Sequence, residues 1–270
     1  MSGHVDVYDR PAEGYPSRTD EKIEVPMTPD QERVYNFVMG KLPIHLRLKI
    51  RSGLPPSKKE STQLNAFATA VRQASLSPRP YVSKMTDDVE DQNTPKIQRA
   101  LNEFRKYHKR DPNFRAVVYS NYIGAGLVPY SRQLTRDGIS HHVFTGKVSK
   151  AVRAQMVRDY NEGKVKALLV SSSGTEGLDL KGTKLIQVLE PHFNNSKVEQ
   201  VVGRGIRYQS HSHLPPQEQS VRVQRYYATH RPRWFGKTPV AIDHWLQQVA
   251  DDKDRIGQQF KQVLQEASAQ

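Results

Sequence analysis

The chain of 270 residues contains no cysteine, which excludes a disulfide scaffold, cysteine-ligated zinc and a thiol nucleophile. No run approaches the ~18 apolar residues that a bilayer span requires. Met1-Ser2-Gly3-His4-Val5-Asp6 lacks the basic-then-apolar pattern of a secretory signal, so the expected setting is intracellular and free of membrane. A complete Gly-x4-Gly-Lys-Ser/Thr loop, which would cradle phosphates and hold magnesium, is also missing. Gly146-Lys147 is followed by Val148, with His141 in place of the first glycine, and Gly236-Lys237-Thr238 has Arg231 in that place. Asp87-Asp88-Val89-Glu90 carries acids suited to magnesium, yet no apolar strand leads into it and it reads as a solvated loop. No Gly-x-Gly-x-x-Gly follows the first apolar run, which argues against a dinucleotide enzyme.

Negative charge is scarce. There are 28 Asp+Glu against 41 Lys+Arg, for a net charge of +13. The excess is not evenly spread. Residues 41–60 hold Lys41, Arg47, Lys49, Arg51, Lys58 and Lys59 against Glu60 alone, and 195–237 form a second basic block from Lys197 to Lys237. Clustered cations of this kind imply a polyanionic partner, because Lys and Arg replace the counterions condensed on a nucleic acid.

What is present reads as two parts. Residues 1–27, rich in Pro, Gly and charge, read as an extended arm or linker. Thr28 can cap a helix, Pro29 suits its first position and Gln31 would complete a capping box. Short helices follow to residue 110, including Leu64–Ala74 and one opened by Thr94-Pro95. From residue 111 to 238 apolar runs of strand length alternate with helices. The runs are Ala116–Tyr119, His142–Phe144, Ala167–Val170, Leu185–Leu189 and Val221–Ala228, and the helices include Lys150–Asn161 and Ser196–Arg207. This alternation predicts an α/β fold with a mainly parallel sheet flanked by helices, whose ligands sit on loops at the strand ends. Residues 239–270 read as a C-terminal helix, on which Trp245, Val249, Ile256, Phe260 and Val263 form a packing stripe, against this lobe or against a partner.

Two segments carry chemistry. Ser171-Ser172-Ser173-Gly174-Thr175-Glu176-Gly177-Leu178-Asp179 combines small hydroxyls and glycines, which leave backbone N–H groups open to an anion, with two acidic acceptors. In Gln200-Val201-Val202-Gly203-Arg204-Gly205-Ile206-Arg207, the two arginines are three apart, on one side of a helix with Gln200. Paired guanidinium forks suit the oxygens of a phosphoryl group, and Gly203 and Gly205, poor helix formers, suggest close approach.

In this order and spacing the two segments resemble motifs V and VI of the superfamily 2 helicases. Arg115–Asn121 resembles motif IV, at the first strand of the second RecA-like lobe, and Phe144-Thr145-Gly146 and Arg153 resemble the motif that follows. Thr94-Pro95-Lys96-Ile97 and Val25–Gln31 resemble signatures of Swi/Snf-type translocases upstream of that lobe. After Arg207, Tyr208-Gln209-Ser210-His211 stands where remodelers carry a short Gly-Gln, a form more like helicases of large viruses and phages. For such a protein the host cytoplasm or nucleoid would be the setting.

The resemblance implies the C-terminal RecA-like lobe of an ATP-dependent helicase or translocase, with residues 28–110 as an inter-lobe helical region. Arg204 and Arg207 would be arginine fingers and Gln200 would position the nucleotide or its attacking water. Gly177, Asp179, Glu176 and Gly203 would lie on the ATP side. Ser120, Asn121, Thr145, Lys147, Arg153 and Ser172 would contact nucleic acid, DNA ahead of RNA. ATP and Mg²⁺ would be shared with a separate Walker A-bearing lobe that ligates the metal. The rival reading is a non-catalytic nucleic-acid-binding or regulatory module with the same fold. Two further features stand apart. His211, His213 and His230 lack a cysteine or nearby carboxylate and read as solvated or capping residues, with no metal site expected. Trp234-Phe235, among Arg231, Arg233 and Lys237, could stack on bases, but the expectation is that they anchor the C-terminal helix.

Overall fold

The computed structural model describes residues 4–7, 12–175, 178–207 and 209–269. Strands β1 (His4–Val7), β2 (Ser17–Pro26), β3 (Ala116–Tyr119), β4 (His141–Phe144), β5 (Ala167–Val170), β6 (Leu185–Val188) and β7 (Ser220–Thr229) form one sheet of order β1-β2-β7-β6-β3-β5-β4. Every pairing is parallel except β1 with β2. Strands β3, β5 and β6 are buried at all four residues, which explains why they read as unbroken apolar runs rather than alternating ones. This is the mostly parallel, helix-flanked architecture that the alternating pattern predicts.

The pleat sends successive side chains to opposite faces, and the core divides accordingly. Ala116, Val118, Leu169 and Leu185 meet Leu101 and Phe104 of α6 (Pro95–Arg110) and Tyr130 and Leu134 of α7 (Val128–Arg136). Val117, Tyr119, Leu168, Val170 and Ile186 meet Tyr160 of α8 (Lys150–Asn161) and Val198, Val201 and Val202 of α9 (Asn195–Gly205). A third cluster, beside β7, joins α1 (Pro29–Met39), α2 (Ile44–Ser52), α4 (Leu64–Ala74), which follows the short α3 (Lys58–Thr62), and α10 (Ile242–Ser268) through Tyr35, Leu46, Val71, Trp245 and Leu246. Between these units lies a fully buried ion pair. Lys96 Nζ is 2.6 Å from Asp243 Oδ2 with both side chains 0% exposed. Asp243 also accepts from the Ala228 backbone N–H at 2.7 Å and from Ser75 Oγ at 3.3 Å. One carboxylate therefore fastens α6, α10, β7 and the end of α4.

Three expectations change. Ser17–Pro26 is not an arm but a strand paired along all ten residues with β7. Its five charged residues hide any period of two, and Arg222 with Glu21, and Arg18 and Arg225 with Glu199, hold the charges across the sheet edge. Asp87–Gln92 is a helix, α5, rather than a solvated loop. Glu90 is 1% exposed and takes Arg79 at 2.6 Å and Ser77 Oγ at 2.9 Å, while Asp91 takes Arg132 and Arg136, each at 2.7 Å. At the start of α1, Thr28 Oγ1 accepts from Gln31 N at 3.2 Å, but the box is not closed. The Gln31 amide instead donates to Ala74 O at 3.1 Å.

Candidate functional site

The arginine segment is set by α9. Asn194 caps the helix, its side chain accepting from Ser196 N at 3.0 Å. Val198, Val201, Val202 and Gly205 face the sheet, so Gln200 is exposed and Arg204 half-buried at the rim. The two glycines do different things. A Cβ on Gly205 would stand 2.9 Å from Ile186 Cδ1, so the helix end rests on β6 only because no side chain is there. Gly203 is exposed and has nothing within 4 Å of its would-be Cβ, which leaves open surface beside Gln200 and Arg204.

Arg204 makes no hydrogen bond or ion pair among the described residues. Arg207, just past the helix, is 3.4 Å from Asp179 Oδ1, with the side chains 40% and 65% exposed. Asp179 projects outward because Leu178 and Leu180 on either side are buried. Its backbone is pinned by Asn161, whose amide donates to Asp179 O at 2.9 Å and accepts from Lys181 N at 2.8 Å. Asn161 ends α8 and Gly205 lies over Thr183 and Ile186. The group therefore sits toward the amino-terminal edge of the sheet, on the α8/α9 face. Glu176, Gly177 and Tyr208 lie outside the described residues.

The residues expected to touch nucleic acid gather at the opposite, carboxyl edge, and they differ in access. Ser120 is fully buried and its hydroxyl donates to Glu190 Oε2 at 2.9 Å. Asn121 donates to Glu190 Oε1 through its backbone N–H at 2.5 Å and its amide at 3.0 Å. A Cβ on Gly126 would come within 2.3 Å of Ser120 Oγ, so the hydroxyl fits there only because residue 126 has no side chain. Thr145 is buried, whereas Lys147 and Ser172 are exposed. Gly146 N donates to Ser173 Oγ at 3.2 Å, and Gly174 packs under Phe144 where a Cβ would stand 2.8 Å away. The two loops thus hold each other, and Arg153 lies behind them, its guanidinium 5.9 Å from the Phe144 ring centroid. The structure brings Asn121, Thr145, Lys147 and Ser172 to one edge and does not bring them to Arg204 and Arg207.

Sequence reasoning missed the cluster that organises that edge. Glu190, 0% exposed, has its pKa raised, chiefly by burial, against the pull of Arg72 and Lys96. Arg72 is also buried, donates to Pro191 O at 3.0 Å and lies 5.1 Å from the Tyr122 ring centroid. His192 is pushed down to about 4, first by burial and then by Arg72, Lys197 and Lys253, so near neutral pH it is uncharged and accepts from Asn194 N at 3.0 Å. The one signal in the sequence was an acid directly following the apolar run Leu185–Leu189.

Two of the histidines depart from expectation: His211 and His230 are buried rather than solvated. His211 Nε2 is 2.6 Å from the backbone oxygen of Thr183, ahead of β6, and His230 Nδ1 is 2.8 Å from Glu32, a carboxylate distant in sequence. Trp234 and Phe235 do not anchor α10: they are 94% and 86% exposed. Along α10, Trp245 and Val249 are buried, whereas Ile256, Phe260 and Val263 are exposed. Among the described residues no helix is long and apolar enough to cross a membrane.

Residues 95–209 match the family model described as the helicase conserved C-terminal domain. The chain is 34% identical over 219 residues to L538 of Acanthamoeba polyphaga mimivirus, named for an ATP-dependent RNA helicase, covering 81% of this chain and 44% of that protein. It is 32% identical over 138 residues to the termination factor NPH-I homolog of African swine fever virus, covering 47% of this chain and 20% of that one. It thus spans less than half the length of either relative. Among solved structures it resembles the C-terminal part of the Fun30 ATPase domain, with TM-score 0.60 at 14% identity over 88% of this chain and 99% of that one. The Sulfolobus solfataricus SWI2/SNF2 ATPase core in complex with dsDNA gives 0.55 at 12% identity, over 78% and 41%. These likenesses show a RecA-like fold of the helicase C-terminal kind.

Proposed function

We propose, from the premise that this chain carries a helicase conserved C-terminal domain of Swi/Snf-like fold with viral relatives, that it is the second lobe of an ATP-dependent superfamily 2 helicase or translocase. In this reading a Walker A-bearing lobe, from another segment or another polypeptide, grips the phosphates and the magnesium. Arg204 and Arg207 are delivered across the cleft to the charge that develops on the transferred phosphoryl group. The observation that carries the reading is the state of these two arginines. They project from one helix end and, among the described residues, Arg204 has no partner and Arg207 only a long, exposed one.

A guanidinium fork held ready but not neutralised is what electrostatic stabilisation of a transition state requires, since no reorganisation is then needed at the moment of reaction. Such fingers contribute roughly 10³–10⁵ in rate to phosphoryl transfer. Gln200, exposed one helical turn before Arg204, is placed to orient the nucleotide or the attacking water. The open surface at Gly203 admits the nucleotide, and Asp179 meets its sugar side. Lys147 and Ser172 offer the exposed phosphate contacts at the other edge, supported by Thr145 and Arg153. Ser120 and Asn121 serve that edge through Glu190, which they brace. The track is DNA rather than RNA in this proposal, and its backbone is held without reading sequence.

The test is DNA-stimulated ATP turnover by the 270-residue chain, alone and with a polypeptide that supplies the Walker A lobe. Turnover is expected only in the mixture. Arg207→Lys, which keeps the charge and loses the planar fork, should cut it by at least roughly a hundredfold. Robust turnover by the chain alone would sink the divided site. Undiminished turnover in Arg207→Lys would sink the finger and favour a non-catalytic clamp.

A further inference from the structure

The loop that leaves β7, residues 230–240, holds its two aromatic side chains in solvent. Trp234 is 94% and Phe235 86% exposed, and their rings meet edge to face with centroids 6.4 Å apart. Exposure of this degree costs hydrophobic free energy that packing would recover. The loop is nonetheless firmly based. His230 and Arg231 both grip Glu32 at 2.8 Å, and His230 also stacks edge-on against the buried Tyr35. At the far end Val240 N donates to Arg51 O at 3.1 Å, and Gly236 makes the turn at φ +81°. Two prolines, Pro232 and Pro239, further restrict the backbone. A braced base with a bare aromatic tip presents its rings rather than hiding them.

The charge around the tip names the partner. Residues 230–240 contain no acid, and Arg233 and Lys237 flank the rings, exposed and without an ion pair among the described residues. Glu32, the carboxylate at the base of the loop, is engaged by His230 and Arg231. An apolar protein face would match the rings but leave those cations unanswered, whereas a polynucleotide supplies a base for each ring and a phosphate for each cation. Position agrees. Strands β7, β6 and β3 are adjacent and parallel, so the loop leaves the same carboxyl edge as Asn121. At about 4.8 Å per strand, β7 lies roughly 10 Å from β3, and it runs on past the register of Arg225 with Val188 to Thr229 before the loop begins.

We propose that Trp234 and Phe235 form a base-stacking prong for a single-stranded stretch of nucleic acid, with Arg233 and Lys237 holding the flanking phosphates. This rests on the nucleic-acid-facing role proposed above for the carboxyl edge. The chain contains two tryptophans, and the other, Trp245, is buried, so a change in emission on binding reports Trp234. The experiment titrates the 270-residue chain with oligo(dT), following tryptophan emission, and in parallel follows anisotropy of a fluorescein-labelled oligo(dT). The expected result is quenching that saturates with the anisotropy. Trp234→Ala should abolish the quenching and weaken binding roughly tenfold, and Trp234→Phe should stay within about threefold of the parent. Binding without quenching, or equal quenching by heparin, overturns the prong while leaving the basic edge as a phosphate track. Quenching with duplex but not with oligo(dT) overturns the single-strand assignment. No binding to either form overturns both the prong and the nucleic-acid role, while the ATP-turnover test of Arg207 still stands apart.

Discussion

Two ion pairs in this chain look alike as pairs of letters and are opposites as physical objects. Lys96 and Asp243 meet at 2.6 Å with both side chains 0% exposed, whereas Arg207 and Asp179 stand 3.4 Å apart, 40% and 65% exposed. The first carboxylate has two further donors, Ala228 N and Ser75 Oγ, so its charge is fully answered inside the protein. The second pair is screened by water, and little is lost if either member turns to another partner. A charge that is satisfied internally fixes architecture. One that is left loosely held is available for chemistry.

The largest effect should come from breaking the buried pair. Lys96→Met leaves Asp243 as an uncompensated charge in the interior, which costs on the order of 3–5 kcal/mol. Urea unfolding followed by circular dichroism would read this as a large fall in midpoint. A loss under about 1 kcal/mol would mean that water reaches Asp243, and the contrast between the two pairs would disappear.

A second, smaller effect concerns the cluster at the carboxyl edge. His192 is held down at about 4 in the fold against an ordinary 6.5, so the unfolded chain binds the extra proton first as pH falls. Its contribution to stability is full above pH 6.5 and is lost progressively down to about pH 4. Glu190 acts with the opposite sign. Its raised value means the folded carboxyl holds a proton more readily, so stability falls as pH climbs above its ordinary 4.5. The comparison of wild type with His192→Asn isolates the histidine. The wild type should lose more stability than the variant between pH 7 and 4.5, measured as urea midpoints. Parallel profiles would show that His192 stays hydrated and does not feel Arg72.

How much of this was legible beforehand depends on how local the cause is. Lys150–Asn161 and Leu64–Ala74 are helices at the residues read from the sequence, and Ser149 caps the first in the ordinary way. The unbroken run Ala167–Val170 announces a strand buried on both faces. Ser17–Pro26 does not, because its charges are neutralised by Arg222 and Glu199, some two hundred positions away. Asp87–Gln92 escaped for the same reason: its partners Arg132 and Arg136 arrive on α7. At the candidate site the outward side of Gln200 and Arg204 follows from helical period alone. The engagement of Ser120 and Asn121 by Glu190 does not, since it exists only because β3 and β6 are neighbours.

The smallest expected effect is the most discriminating. Asp179→Asn removes the charge that faces Arg207 while keeping the shape and the backbone hydrogen bonds to Asn161. An exposed pair at this distance contributes at most about 1 kcal/mol, so the melting temperature should move by less than about 3 °C. Arg207 would then be a side chain whose removal leaves the fold intact, and a loss of ATP turnover in Arg207→Lys could be assigned to the guanidinium fork. A larger fall in melting temperature would make Arg207 a brace between α9 and the loop at Asp179. Loss of turnover would then report a displaced helix end rather than a missing finger.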